Sequence, residues 1–521
     1  MKKQSFLQGA LILMLAGLIN RVMGFFLRIF IVRTIGDEGL GLFQMIYPLF
    51  TTLLLMSTAG FPVAISKLIP ERLAKNDLRG SYNLFKVSLL FILFMSTFMI
   101  TVIYFSAEFI STRIYSDSRT YLIILSILPA IILSSIAACF RGFFQGMHTM
   151  IPTALSQITE QISRLLATLM IINAVSYLGL KYQAAGIAIG ISIGEFCGLL
   201  LLIVLFIFMF FNNQEKKSKL KNKISAYLKH NNISDFKLIA GLAIPITMGR
   251  IINSLMMSGE AILIPRQLEL SGLSINEATS LYGQLSGMVE QVIFLPTVIT
   301  IALTISLVPN VSDAYARNNI KKIKNNYQDV IRISCYLGFP ITVIFYRLGT
   351  NICNLLFGYP QAGKLLATMA FCATFIYYLQ VSHGMLNGLG KPHISVINLG
   401  IGSAIKLIGI FYLTGQSLGI HGAAISIGLG IVVSALLNFI AIGHNIGYEV
   451  KINNSFIKPL IASVILYLSE PYIKEAFAYL SINLGAKLET IIILLIMILI
   501  YIIIMILIRA ITMEDINRFK K

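Results

Sequence analysis

Residues 18–41 read LINRVMGFFLRIFIVRTIGDEGLG, an apolar run that contains three arginines, Arg21, Arg28 and Arg33. The run is long enough to cross a bilayer, because a membrane-spanning helix needs about 20 mainly apolar residues. A guanidinium stays charged at any relevant pH, and at the centre of a span it costs about 2.5–3.5 kcal/mol on insertion scales. Such a residue indicates a polar cavity inside a helix bundle. We therefore expect Arg21 and Arg28 to face a water-filled interior.

Two other placements fit the same sequence. An arginine near the end of a span can extend its charged group to the membrane interface, and this alternative applies to Arg28 and Arg33. An arginine in mid-span, such as Arg21, can instead pair with a buried acid such as Glu195 or Glu290. The sequence alone leaves both alternatives open.

The composition predicts an all-α polytopic membrane protein. Of the 521 residues, 57% are hydrophobic and 12% charged, which is more apolar than a soluble domain. Apolar runs of near-spanning length number about fourteen, and each predicts one transmembrane helix. The predicted spans are residues 6–33, 41–66, 82–107, 120–144, 153–178, 183–212, 236–262, 279–308, 328–350, 363–388, 393–415, 419–443, 456–474 and 488–510.

The net charge of +19 reflects membrane topology and not nucleic-acid binding. Lysine and arginine are concentrated in alternate loops, and such loops lie on the cytoplasmic side. Both termini are therefore predicted to be cytoplasmic, in a bacterial cytoplasmic membrane. The opening MKKQ resembles the start of a signal peptide, but no small-x-small cleavage site follows, so we interpret the first apolar run as a retained span. The five cysteines lie singly and predict neither a disulfide framework nor a metal site.

A polar, lysine-rich break divides the chain. Residues 212–237 read NNQEKKSKLKNKISAYLKHNNISDFK between long apolar stretches. We predict an N-lobe at 1–212 with spans one to six, a basic cytoplasmic linker at 213–236 and a C-lobe at 237–448 with spans seven to twelve. Residues 449–521 then hold spans thirteen and fourteen and a cytoplasmic tail.

The two lobes carry an internal repeat. Arg141-Gly-Phe-Phe-Gln-Gly matches His383-Gly-Met-Leu-Asn-Gly 242 residues later, and Arg164 matches Lys406 at the same offset. Because each lobe has an even number of spans, both begin on the same side of the membrane. This predicts a pseudo-two-fold axis along the membrane normal, with substrate between the lobes and two C-terminal helices outside the repeat.

Small residues at four-residue spacing match between spans six and twelve. They are Gly186, Gly190, Gly194 and Gly198 in the first lobe and Gly422, Ser426, Gly430 and Ser434 in the second. Four-residue spacing places each set on one helix face, where a neighbouring backbone can approach closely. We predict helix-packing faces and not ligand sites.

Charged residues within the predicted spans define the candidate site. The cations are Arg21, Arg28, Lys86, Arg164, Arg250, Arg332 and Lys406, and the main acids are Glu160, Glu195, Glu260 and Glu290. Glu160 and Arg164 are four residues apart, which favours an ion pair within one helix over a substrate contact. Glu290 and Lys406 are treated as secondary or structural cavity charges. The excess is positive and suits an anion, and the planar guanidinium suits phosphate because it donates two parallel hydrogen bonds. Arg21, Arg28 and Arg250 are the proposed substrate-binding residues.

The sequence contains no convincing catalytic motif. Gly358-Tyr-Pro-Gln-Ala-Gly-Lys364 resembles part of a phosphate-binding loop, but Leu365 replaces the required Ser or Thr and no strand is predicted before it. The six histidines have no ligand or triad spacing. We therefore expect no enzyme activity, no cofactor and no metal.

Several motifs resemble a known family. Arg21-Val-Met-Gly-Phe25, Ile35-Gly-Asp-Glu-Gly-Leu-Gly41 and Gly60-Phe-Pro-Val-Ala-Ile-Ser-Lys67 are similar to the polysaccharide-biosynthesis branch of the multidrug/oligosaccharidyl-lipid/polysaccharide exporter superfamily. The stretch Arg141 to Gly146, with Glu160-Gln161 and Arg164, resembles its stage V sporulation protein B group, which is related to the MurJ lipid II flippases.

The resemblance implies a flippase for undecaprenyl-pyrophosphate-linked sugars, with lipid II for spore cortex or cell-wall peptidoglycan as the expected substrate. In the MurJ flippases, first-helix arginines contact pyrophosphate. Arg21 matches the first of these, while Arg28 lies one residue beyond the second, where this chain has Leu27. The additional C-terminal helices would form a groove for the lipid tail. Expected partners are the lipid-linked saccharide, the bilayer and cell-wall synthases, with no nucleic acid. The alternatives are a cation-coupled drug antiporter of the same fold and a non-transporting scaffold for cell-wall synthesis.

Overall fold

The computed structural model describes residues 6–211, 232–415, 418–447, 452–479 and 485–510, which are helical almost throughout and contain no β-strand. In chain order the helices are α1 (Phe6–Thr58), α2 (Phe61–Ala74), α3 (Leu78–Phe109), α4 (Thr120–Gly146), α5 (Ile151–Ala174), α6 (Leu180–Phe211), α7 (Asn232–Leu270), α8 (Ile275–Tyr282), α9 (Glu290–Phe294), α10 (Thr297–Ala316), α11 (Ile320–Phe357), α12 (Ala362–Met369), α13 (Ala373–Gly388), α14 (Pro392–Thr414), α15 (Gly419–Ile446), α16 (Lys458–Tyr479) and α17 (Ala486–Leu507). The prediction of an all-α membrane protein is confirmed.

Within the described residues, 11 helical segments are long and apolar enough to cross a membrane, or 12 if the bent pair Asn232–Ile244 and Thr247–Leu270 forms one span. The predicted number is higher for two reasons. The first segment, Leu11–Ala74, has 64 residues and contains two predicted spans. Helix α5 coincides with another predicted span, but its many polar side chains keep it outside the apolar set.

Helix α1 consists of two helices joined at Gly36. This residue has φ 74° and ψ −174°, a conformation that interrupts the helix. Glycine adopts positive φ at little cost, because it has no Cβ to clash with the backbone. The break falls between the first two predicted spans, which were placed at 6–33 and 41–66.

The chain forms two compact units whose boundary differs from the predicted lobes. Unit 1 contains the described residues up to Ile262 together with Ile275–Gly283, and unit 2 contains Leu263–Ser274 and the described residues from Gln284 onward. Most of the basic linker that was predicted to divide the lobes lies outside the described residues. The first part of α7 therefore belongs to unit 1, although its sequence was assigned to the second lobe.

A buried carboxylate explains why α7 begins in unit 1. Asp235 is only 3% exposed and accepts hydrogen bonds from Arg72 Nη2 at 2.9 Å and from Asn83 Nδ2 at 2.7 Å. The ring of the next residue, Phe236, lies 5.8 Å from that of Phe61. These contacts join α7 to α2 and α3. The core of unit 1 around them is rich in aromatic residues, including Phe61, Phe85, Phe140, Phe143 and Phe144.

Unit 2 has its own core, in which the hydroxyls of Tyr327 and Tyr378 lie 3.1 Å apart. The last two helices, α16 and α17, pack on α11. The guanidinium of Arg347 on α11 lies 4.0 Å from the ring centre of Tyr467, and the Tyr336 hydroxyl donates to the Ala510 carbonyl at 2.6 Å. The two helices outside the repeat are therefore attached to unit 2 through α11.

The small-residue faces pack against neighbouring helices as predicted. A Cβ added at Gly194 on α6 would lie 2.8 Å from the Arg164 Cβ on α5, and one at Gly430 on α15 would lie 2.7 Å from the Lys406 Cβ on α14. The repeat-related residues Arg164 and Lys406 thus meet repeat-related glycines. The same close helix contact occurs once in each unit.

Candidate functional site

Arg21 and Arg28 share one face of α1, because seven residues return almost to the same side of a helix at about 100° per residue. Both arginines are half-buried. Gly17 lies four residues before Arg21, and Gly24 lies four residues before Arg28, so both glycines belong to the same face. A Cβ added at either glycine would meet no atom within 4 Å. We call Gly17, Arg21, Gly24 and Arg28 the arginine face, and it borders open space.

The exposed apolar side of α1 lies elsewhere on the helix. Leu15, Val22 and Phe26 are 53%, 40% and 61% exposed, and they lie roughly 100–140° around the helix from Arg21. An exposed apolar stripe is the side of a spanning helix that suits acyl chains. The arginine face therefore points away from the side that suits lipid.

Arg250 is exposed on α7, in the same unit as the arginine face. The two following turns of α7 carry Ser254 and Ser258, which contact α1. Thr52 Oγ1 lies 2.8 Å from Ser254 Oγ and 3.2 Å from Ser258 Oγ. Thr51 Oγ1 lies 3.2 Å from Ser254 Oγ. This hydroxyl cluster was not predicted, because its members are about 200 residues apart in the sequence and none is charged.

Four charged side chains of unit 1 form a buried cluster, which we call the charge quartet. Arg141 comes from α4, Glu160 and Arg164 from α5 and Glu195 from α6. Glu160 lies 3.0 Å from Arg141 Nη2 and 2.6 Å from Arg164 Nη2. Glu195 lies 3.5 Å from each of the same two nitrogens. The two acidic side chains are 9% and 6% exposed and the two arginine side chains 17% each.

The sequence predicted part of this cluster. The ion pair between Glu160 and Arg164 is present, as their four-residue spacing indicated. Arg141 was not among the predicted site residues, but it lies within α4 and its side chain pairs with Glu160 and Glu195. Glu195 was considered as an acid for Arg21, whereas its ion pairs described here are with Arg141 and Arg164. Its position beside Gly194 on the packed face of α6 was the available signal.

Three of the remaining predicted charges, Glu290, Arg332 and Lys406, lie in unit 2. Glu290 is the first residue of α9, and Lys406 lies on α14 beside Gly430. Arg332 pairs with Asp329 at 3.1 Å, and both line a cavity of about 300 Å³ together with Ser306, Asn310 and Asn326. None of these residues belongs to the charge quartet.

An ion-pair cluster lies beside the Gly36 break. Arg119, which precedes α4, pairs with Glu38 of α1 and with the buried Asp117 at 2.7 Å. Hydrogen bonds to Asp117 raise the pKa of Arg119 above its ordinary value. The guanidinium therefore stays charged and fixes the turn before α4 to α1.

The described part of the structure has no cluster of three or more His, Cys, Asp or Glu side chains placed to hold a metal ion. The segment Gly358 to Lys364 follows helix α11 and not a strand, so it lacks the context of a phosphate-binding loop. All five cysteines are free thiols.

The sequence matches known families over most of its length. The profile of the polysaccharide biosynthesis protein family matches residues 6–271, and the MatE profile matches residues 286–413. The chain is 30% identical to stage V sporulation protein B of Bacillus subtilis over 87% of this chain and 86% of that protein. It is 25% identical to the lipid II flippase MurJ of the same organism over 86% of this chain and 84% of that protein.

A solved structure shares the fold. The lipid II flippase MurJ in an inward closed conformation superimposes with a TM-score of 0.70 at 15% identity, covering 95% of this chain and 98% of that one. The likeness confirms the membrane-transporter fold predicted from the sequence. Taken with the family profile and the relative at 30% identity, it shows that the chain belongs to the polysaccharide biosynthesis protein family of the multidrug/oligosaccharidyl-lipid/polysaccharide exporter superfamily.

Proposed function

We propose that this protein moves an undecaprenyl-pyrophosphate-linked saccharide, specifically lipid II, across the bacterial cytoplasmic membrane by alternating access. The observation that carries the proposal is the arginine face. It places Arg21 and Arg28 on one side of a spanning helix, next to open space and away from the side that suits lipid. Similarity to stage V sporulation protein B and to MurJ supports the same class of substrate.

The chemistry of the face suits a diphosphate. Arg21 and Arg28 are two turns apart, about 10 Å along the helix axis, and their long side chains can converge on one ligand. Each guanidinium can donate two parallel hydrogen bonds to phosphate oxygens. Arg250 of α7 would add a third positive charge. The hydroxyls of Thr51, Thr52 and Ser254 provide neutral polar groups on the same pair of helices.

The two alternatives have different charge requirements. A drug antiporter for cationic compounds would be hindered by two arginines on the face that lines its path, because like charges repel. A non-transporting scaffold would gain nothing from half-buried guanidinium groups, which are costly within a membrane. Transport of an anionic lipid head group uses the charges that are present.

Reconstitution into liposomes with a fluorescent lipid II analogue tests the proposal. We expect flipping by the full chain, and loss of flipping with normal protein abundance for Arg21→Ala, because removing a charge from a spanning helix relieves an insertion cost. Arg21→Lys keeps the charge but loses the paired hydrogen bonds. It should therefore lower flipping by roughly 5- to 30-fold, which corresponds to about 1–2 kcal/mol.

Arg33→Ala is the matched control, because Arg33 is exposed and lies five residues past Arg28, off the arginine face. It should leave flipping near the unmodified rate. Equal loss in Arg33→Ala and Arg21→Ala would remove the special role of the face. Export of a cationic dye without flipping of the lipid would favour the antiporter.

A further inference from the structure

The charge quartet holds its two carboxylates unequally. Glu160 lies within 3.0 Å of both arginine Nη2 atoms, while Glu195 lies 3.5 Å from the same two atoms. Because hydrogen bonds weaken with distance, Glu195 is the less compensated acid. Sharing the same donors also brings two like charges into one site, which disfavours ionisation of both. The Nε atoms of Arg141 and Arg164 are buried without a hydrogen-bond partner, so the arginines keep unused donor capacity.

The second half of the chain shows that the quartet is not needed for helix packing. At the repeat offsets, Gly402 occupies the position of Glu160 and Ile431 that of Glu195. Helices α14 and α15 still pack through the same close contact, with a Cβ at Gly402 falling 2.4 Å from the Gly430 carbonyl oxygen. A buried ion pair is in general weak evidence for stability. Unit 1 therefore has two arginines and two glutamates at this helix contact, whereas unit 2 forms the same contact without either glutamate.

We propose that the charge quartet is a proton-binding site in which Glu195 gains and loses the proton. Addition of one proton converts the Glu195 carboxylate into a carboxylic acid, and the charge of the quartet changes from zero, with two arginines and two glutamates, to plus one. No other bond forms or breaks. The arginine side chains, 17% exposed, connect the buried acid to water.

The charged and hydroxyl groups that act on Glu195 lie on α4 and α5, two of the helices that pack on α6. Arg141 and the Ser134 hydroxyl come from α4, and Glu160 and Arg164 come from α5. Gly194, the residue before Glu195, allows the backbone of α5 to approach α6 closely, since a Cβ there would lie 2.8 Å from the Glu160 carbonyl oxygen. Close packing therefore fixes the positions of the groups around Glu195. Binding of the proton changes the net charge of the quartet. This proposal does not depend on which molecule the protein transports.

Infrared difference spectroscopy of the purified full chain between acidic and alkaline pH is the test. We expect one buried carboxylic acid band that appears on acidification, and Glu195→Gln should remove it. Glutamine has the shape of the protonated acid, so this variant should fold. Glu160→Gln leaves both arginines to Glu195, and the band should remain but its midpoint should move to lower pH by about 1–3 units.

Glu108→Gln, at an exposed position of α3, is the control and should leave the band unchanged. A band that persists unchanged in Glu195→Gln, or the absence of any buried carboxylic acid band on acidification, would overturn the proposal. If Glu195→Gln accumulates poorly, the Glu160→Gln midpoint decides alone, because only a titrating Glu195 responds to the loss of its neighbour's charge. None of these readouts requires flipping activity.

Discussion

At the scale of single residues, the buried carboxylate of Asp235 has partners that are distant in the sequence. Arg72 and Asn83 are more than 150 positions away, and neither spacing nor hydropathy relates them to the start of α7. The sequence did predict the Glu160–Arg164 pair, because helix geometry alone brings residues four apart together. It missed Arg141, because a cation near the end of an apolar run has the same sequence signature as a loop residue.

Asp235→Ala should lower the stability of unit 1. The change leaves Asn83, only 2% exposed, without an acceptor, and an unsatisfied buried group costs about 1–3 kcal/mol. Thermal unfolding of the purified protein, followed by size-exclusion chromatography, measures the loss. Asp313→Ala is the control, because its partners Arg317 and Lys322 are exposed and such pairs contribute less than about 1 kcal/mol. Equal melting temperatures for the two variants would contradict the role of Asp235.

Arg119→Gln should also destabilise the fold, and by the same amount at different pH values. It leaves the buried Asp117 without its main partner, at a cost of about 1–3 kcal/mol. Because the folded-state pKa of Arg119 is raised, its contribution is complete below the ordinary arginine pKa and is lost only as pH rises beyond it. Melting curves of wild type and variant at mildly acidic and mildly alkaline pH should therefore be separated equally. A gap that closes within that range would show that another group controls the contact.

At the scale of helices, apolar length and four-residue spacing predicted most of what the structure contains. The spans, the Gly36 break and the two small-residue faces follow from local sequence. The helix that packs on each small-residue face does not follow from local sequence. A row of glycines indicates that some helix approaches closely, but it does not identify that helix. The assignment of α7 to unit 1 likewise depends on contacts that no local pattern encodes.

Two glycines on α14 provide a direct test of close packing. A Cβ at Gly402 would fall 2.0 Å from the Ser434 Oγ, whereas one at Gly400 would meet nothing within 4 Å. Gly402→Ala should therefore reduce folded protein in the membrane. Gly400→Ala should leave it unchanged or raise it, because alanine is the better helix former by about 1 kcal/mol. Similar abundance of both variants, measured by quantitative blotting of solubilised membranes, would contradict a tight α14–α15 contact.

At the scale of the whole molecule, the distribution of basic residues predicts the orientation in the membrane. Reporter fusions at Lys221, which lies outside the described residues, and at Lys322 should report cytoplasm. Fusions at Ser271 and Gln361 should report the opposite side, because lysine and arginine accumulate in cytoplasmic loops. If a reporter fused at Lys221 were active outside the cytoplasm, the two halves would not begin on the same side of the membrane. The assignment of the internal repeat would then be wrong.

The interleaved boundary of the two units has a consequence for synthesis. Unit 1 includes α7 up to Ile262 and the returning segment Ile275–Gly283, where a Cβ at Gly41 would fall 2.1 Å from the Thr279 carbonyl oxygen. A nascent chain that has emerged only as far as α6 therefore lacks Asp235, which accepts hydrogen bonds from Arg72 and Asn83, and it lacks the segment that packs on α1 at Gly41. The N-terminal half must wait in the membrane, incompletely packed, until the ribosome has passed residue 283. Unit 2 is built wholly from residues that follow Ile262, so unit 1 is completed while most of unit 2 is still to be synthesised.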